Sequence, residues 1–147
     1  MRGSPARYTA AQAARLGRCS PSRLEAWRRV GLVVPDGSGR DARYTFRDLV
    51  ALRMVARLLD EGVPTQRIRR AVDALVRAGD DVAALALVSD GDTVLACRDD
   101  GQILDALRDG QLALFVPVAS LVRDVDADVQ TFDRERASFV DVISAPG

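Results

Sequence analysis

The chain has no histidine, no lysine, two cysteines and few aromatic residues (5%). The absence of histidine removes the commonest general base and metal ligand. Cys19 and Cys97 are too few for a disulfide framework or a Cys-rich zinc site, and both read as small buried residues. No apolar run approaches the roughly 20 residues that a membrane span requires. Met1-Arg2-Gly3-Ser4 lacks the apolar core of a secretory signal, so a cytoplasmic location is expected. There is no phosphate loop, no paired metal ligand and no nucleophile beside a base. Asp90-Gly91-Asp92 and Asp99-Asp100-Gly101 miss the calcium-loop pattern and read as turns. Neither an enzyme nor a metal or other cofactor is expected.

What is present is a divided charge. The 147 residues are 48% hydrophobic, enough for one ordinary domain or two small ones. The formal net charge is zero, yet residues 1–77 hold 16 Arg against 7 acidic residues, and residues 78–147 hold 5 Arg against 14. Arg supplies every basic side chain, and its planar fork suits phosphates and guanine edges. A basic half joined to an acidic half implies a module that faces nucleic acid and a region with another task.

Within the basic half, Thr9-Ala10-Ala11-Gln12 is a capping box that opens a helix to about Leu16. Gly17-Arg18-Cys19 makes a turn. Ser20 then caps a second helix, with Pro21 at its first position and Gly31 at its end. Leu24 and Trp27 share its inner face, while Ser22, Glu25, Ala26 and Arg29 share the outer one, flanked by Arg23 and Arg28. This is a helix-turn-helix pattern whose second helix has the make-up of a recognition helix. Residues 32–34 and 41–44 predict two strands around a Gly- and Ser-rich tip, a hairpin wing carrying Arg40 and Arg43, preferred over a plain loop. Thr45-Phe46-Arg47-Asp48 is a second capping box that opens a helix to about Glu61. A fourth helix spans about 65–77 with Ile68, Val72 and Leu75 inward. Its Arg67, Arg69 and Arg70 lie mainly outward, either as a solvated face or as phosphate contacts.

Residues 8–77 closely resemble the DNA-binding domain of MerR-type transcriptional regulators. The resemblance rests on Tyr8-Thr9, Ala14, Ser20, Leu24, Trp27, Arg29, Gly31-Leu32, Arg43 through Leu49, and Leu59 with Gly62-Val63. It implies a winged helix-turn-helix of four helices plus a β-hairpin wing; with the strands read in the acidic half below, the expected fold is α+β, this domain followed by a small β-rich module. The resemblance also implies that Ser22 and Arg23 stand early on the recognition helix, and that Arg43 and Tyr44 touch DNA backbone from the wing. Glu25 replaces a phosphate-binding Arg of the family, Ala26 replaces an aromatic, and Arg18 stands where glycine is usual. A Glu at position 25 can still accept from cytosine N4. The expected DNA-binding set is Arg18, Ser20, Ser22, Arg23, Glu25, Arg28, Arg29, Arg40, Arg43, Tyr44 and Arg67.

The acidic half, residues 80–147, lacks the sustained apolar heptads of the dimerising coiled coil that the family usually places after the DNA-binding domain, residues 1–79 here. Residues 85–88, 93–97 and 111–116 read as strands, the first two around a turn at 89–92. Ile103, Leu104 and Leu107, and then 119–122, read as short helices. Asp126-Ala127-Asp128 reads as a loop and 137–143 as a short strand or tail. Asp90-Gly91, Val94, Arg98 and Gly110-Gln111-Leu112 are similar to a small module that follows some MerR-like domains, to which no activity attaches. The expected partners are double-stranded DNA and a second copy of the chain, with the acidic half as the dimer contact. The alternative is an adaptor or phage-type architectural module whose acidic half binds a protein partner or occludes the basic half.

Overall fold

A computed structural model describes residues 7–78, 85–89, 94–98, 101–102 and 114–144, with the side chains of 114 and 138–144 left aside. The elements run β1 (Arg7–Tyr8), α1 (Ala10–Leu16), α2 (Pro21–Arg29), a 3-10 turn (Gly39–Asp41), β2 (Tyr44–Thr45), α3 (Phe46–Asp60) and α4 (Thr65–Ala78). Then follow β3 (Ala86–Ser89), β4 (Val94–Cys97), β5 (Leu114–Pro117) and α5 (Val118–Ser144). The architecture is α+β, with two small antiparallel sheets.

Both predicted capping boxes close. The Thr9 hydroxyl accepts from the Gln12 N–H at 3.2 Å, and the Thr9 N–H donates to the Gln12 side chain at 3.0 Å. Thr45 and Asp48 do the same at 3.2 and 2.9 Å. Each pair satisfies two first-turn donors that would otherwise lack partners.

Helices α1, α2 and α3 all end in one motif, a left-handed residue followed by a backbone bond to the carbonyl five residues back. In α2 the left-handed residue is Gly31 (φ 76°), and the Leu32 N–H donates to the Trp27 carbonyl at 2.8 Å. In α3 it is Gly62 (φ 84°), with Val63 donating to Leu58 at 3.1 Å. In α1 it is Arg18 (φ 56°), with Cys19 donating to Ala14 at 3.0 Å. A side chain there costs roughly 1 kcal/mol relative to glycine. Gly17 answers a different need. Its backbone is ordinary, but a Cβ would stand 2.7 Å from Leu52 Cδ1 and 2.8 Å from the Ala13 carbonyl oxygen. The glycine lets the turn lie directly on α3.

One buried cluster runs from Tyr8 through the helices to Phe132. It includes Leu49, Leu52, Met54, Leu58, Ile68 and Leu75 from α3 and α4, and Leu87 and Val116 from the sheet. In that sheet β3 is central, pairing antiparallel with β4 (Ala86 opposite Cys97) and with β5 (Ala86 opposite Pro117). The Val118 N–H donates to the Leu85 carbonyl at 2.9 Å and starts α5 from the sheet edge. Helix α5 packs on α3 and α1, burying Val118, Leu121, Val125, Val129 and Phe132 at three- and four-residue steps.

Two expectations need correction. Residues 118–144 form one helix of 27 residues, where a short helix, a loop at 126–128 and a terminal strand or tail were expected. Asp is a poor helix former in isolation. Here the apolar stripe on either side of Asp126 and Asp128 is buried, and Asp128 gains two Arg partners. Tertiary burial overrides the local preference. Residues 32–34 form no strand: Leu32 and Val33 turn into the core, and the loop closes through one bridge, Asp36 opposite Arg43. The strand that pairs with β2 is β1, Tyr8 opposite Tyr44. Of the turn expected at 89–92, Ser89 ends β3 and residues 90–92 lie outside the described residues, as do residue 93, the helix around 103–107 and residues 111–113.

Candidate nucleic-acid interface

Helix α2 carries the candidate site. The Ser20 hydroxyl accepts from the Arg23 N–H at 3.1 Å, and Pro21 occupies the first turn. Leu24 and Trp27 are 3% and 7% exposed and seat the helix on the core. Ser22, Arg23, Glu25, Ala26, Arg28 and Arg29 are exposed. The Arg23 guanidinium lies over the Trp27 ring, 5.9 Å from its centroid, which holds one cation along the rim of the helix.

Glu25 and Arg28 form a fork. Arg28 Nε donates to Glu25 Oε2 at 2.9 Å, and Nη2 donates to Oε1. This hydrogen bonding holds the Glu25 carboxyl below the usual range and raises the Arg28 guanidinium further. Tyr44 is buried, 1% exposed, and its phenol is pushed up by desolvation while the nearby Arg28 opposes that rise. The structure thus brings Glu25, Arg28 and Tyr44 together, with the Tyr44 ring in the core rather than projecting from the wing.

At the wing, Arg40 lies exposed in the 3-10 turn. Arg43 folds back, its Nη1 donating to the carbonyls of Arg40 at 2.7 Å and Ala42 at 2.9 Å. Arg7 pairs with Asp36 and ties β1 to the wing. Arg67 is half-buried in the first turn of α4.

Arg18 faces elsewhere, donating to Asp128 of α5 at 2.8 Å. The same Asp128 oxygen accepts from Arg53 at 2.5 Å. Arg53 is 8% exposed and also donates to the Leu16 carbonyl from Nε at 2.9 Å and from Nη2 at 2.7 Å. Nearby, Arg15 reaches Glu135 at 2.9 Å and lies 5.5 Å from the Phe132 centroid. These charged contacts escaped sequence reasoning, though a signal existed: Arg53 falls four residues after Leu49, and Asp128 three after Val125, both on inward stripes. Among the described residues, no three Cys, Asp or Glu side chains gather as metal ligands, and no helix is long and apolar enough to cross a membrane.

Residues 8–75, from β1 into α4, match the MerR HTH family regulatory proteins. The N-terminal half is a MerR-type helix-turn-helix domain. This MerR-type region also resembles a putative heat shock protein HspR of Streptomyces coelicolor, 40% identical over 68 residues, 45% of each chain. Similarity extends past the MerR-type domain in uncharacterised HTH-type transcriptional regulators of Mycobacterium bovis and Mycobacterium tuberculosis. They are 35% identical over 145 residues, 95% of this chain. The chain spans 64% of the length of these relatives.

Proposed function

We propose that this chain is a sequence-specific, double-stranded DNA-binding transcriptional regulator of MerR-like type, acting in the cytoplasm as a homodimer. The observation that carries the reading is α2 itself: capped by Ser20, anchored by Leu24 and Trp27, and exposing Ser22, Arg23 and Arg29. A short helix so presented fits the major groove, where base edges differ in donors and acceptors. Arg40, Arg43 and Arg67 would contact phosphates and set register. Glu25 acts with Arg28, and their fork offers a guanidinium of fixed direction beside a carboxylate. The division of labour follows the charge, with residues 1–79 on DNA and residues 80–147 governing assembly or a protein partner.

Selection from random duplexes by the full-length protein, followed by a salt series, tests this. The expected outcome is an enriched sequence, weakening steeply with salt at a slope of about −0.9 per phosphate neutralised. Arg23→Ala and Arg43→Ala should each weaken binding. Unselective binding untouched by either change would defeat the regulator reading.

A second reading has its own support. Asp128 and Glu135 place carboxylates on Arg18 and Arg15, as phosphates would. If α5 occludes part of the basic surface, Glu135→Gln should tighten DNA binding and steepen its salt dependence by releasing Arg15.

A further inference from the structure

Arg69 belongs to α4, yet its guanidinium ends on α2. Nη2 donates to the Val30 carbonyl at 2.7 Å and Nη1 to the Gly31 carbonyl at 3.1 Å. These carbonyls lie at the C-terminal turn of α2, where unpaired acceptors and the helix dipole concentrate negative charge. A planar fork meets two adjacent carbonyls from one rigid plane, which an ammonium cannot do. The approach is close: a Cβ on Gly31 would stand 3.4 Å from Nη1. Arg53 of α3 treats the end of α1 in the same way, through the Leu16 carbonyl. Each helix of the helix-turn-helix is therefore tied at its C-terminus to the helical pair behind it.

Helix α2 depends on such a tie because its own anchorage is narrow. Of its nine residues only Leu24 and Trp27 are buried, within one turn of each other. Two neighbouring anchors decide which face looks inward but resist tilting poorly. Base reading tolerates misplacement of only about half an ångström. We propose that Arg69 is a positioning residue for sequence selection: it fixes the tilt of α2, so that the outer face meets base edges in one register. This rests on the DNA-binding reading above. It also separates Arg69 from Arg70, the exposed neighbour suited to a phosphate.

The test uses the full-length protein, the duplex that wild type selects from a random pool, and an unrelated duplex. Binding of both is measured across a salt series for wild type, Arg69→Lys, Arg69→Ala and Arg70→Ala. Arg69→Lys should lower the ratio of selected to unrelated affinity roughly tenfold or more, the size of one lost base contact. Its affinity for the unrelated duplex and its salt slope should match wild type. Arg69→Ala should lower the ratio at least as much. Arg70→Ala should do the reverse, weakening both duplexes alike with a slope shallower by about 0.9. Partial unfolding would reduce binding to both duplexes by one factor and leave the ratio intact, so the ratio separates positioning from mere stability. Wild-type ratios in both Arg69 variants would overturn the proposal, as would equal weakening on both duplexes with a shallower slope in Arg69→Ala. A wild type that selects no sequence would defeat the DNA-binding reading and this inference together, and would show before any variant was made.

Discussion

Arg15, Arg18 and Arg53 on the α1 side and Arg23, Arg29 and Arg40 on the α2 and wing side come from the same basic half of the chain. Their surroundings differ. The first three meet Glu135 and Asp128 of α5. The second three have no carboxylate partner among the described residues. Where α5 lies against the domain, positive charge serves cohesion. Where it does not, Arg7 and Arg28 meet the local carboxylates Asp36 and Glu25, and Arg23, Arg29 and Arg40 stay available to an anion. A charge count over a sequence segment therefore overstates the surface offered to DNA, since several of its cations are already neutralised within the fold.

The largest expected effect comes from breaking the cohesive side at its buried member. Arg53→Ala removes three charge-assisted hydrogen bonds and leaves the Leu16 carbonyl short of a partner. Urea unfolding should show a loss of about 3 kcal/mol, with the midpoint falling at an unchanged slope. Arg29→Ala, on the open side, should shift the midpoint by no more than about 0.5 kcal/mol. Equal losses in the two variants would erase the contrast.

Asp128→Asn should cost less, about 2 kcal/mol. A fully buried pair broken on one side loses roughly 3–5 kcal/mol, but the Asp128 side chain keeps 34% of its surface exposed. The pH dependence sharpens the assignment. The hydrogen bond from Arg53 holds the Asp128 carboxyl below the usual range. An acid depressed in the folded state contributes stability above its unfolded pKa, near 3.9, and loses it as pH falls through the folded value. Wild-type stability should therefore drop below about pH 4, and Asp128→Asn should lack that part of the drop. An unchanged acid limb in the variant would remove Asp128 from the account.

The smallest effect tests the turn between the two sides. Arg18→Gly relieves roughly 1 kcal/mol of left-handed strain and gives up an exposed ion pair worth about 0.2–1 kcal/mol. Thermal unfolding should show a net change between zero and a gain of about 0.8 kcal/mol. A large loss would mean that Arg18 holds α5 in place rather than merely meeting it.

Much of this domain was legible in advance because local chemistry decides it. The Thr9 and Thr45 capping boxes, the Ser20 cap and the Gly31 and Gly62 ends each involve residues within about five positions, and all form as their patterns imply. The inward face of α4, with Ile68, Val72 and Leu75 buried, follows from spacing alone. The missed features need two distant segments. Residues 32–34 have strand composition, but Leu32 and Val33 are claimed by the core, and β2 finds its partner in β1. Helix α5 passes through aspartates that look loop-forming until α3 supplies Arg53.

What the sequence determined by itself, then, is where helices begin and end, which faces are apolar, and the separation of charge between the halves. Those properties follow from hydrogen bonds and periodicities that span one or two turns. What only the tertiary structure decided is which Arg residues are already engaged. Arg18 and Arg69 look like surface cations in a string of letters, and the place of Arg53 on an inward stripe does not say what it meets. Their acceptors, Asp128, the Leu16 carbonyl and the carbonyls of Val30 and Gly31, lie 37 to 110 positions away along the chain. Packing alone brings a charge to a partner that far off.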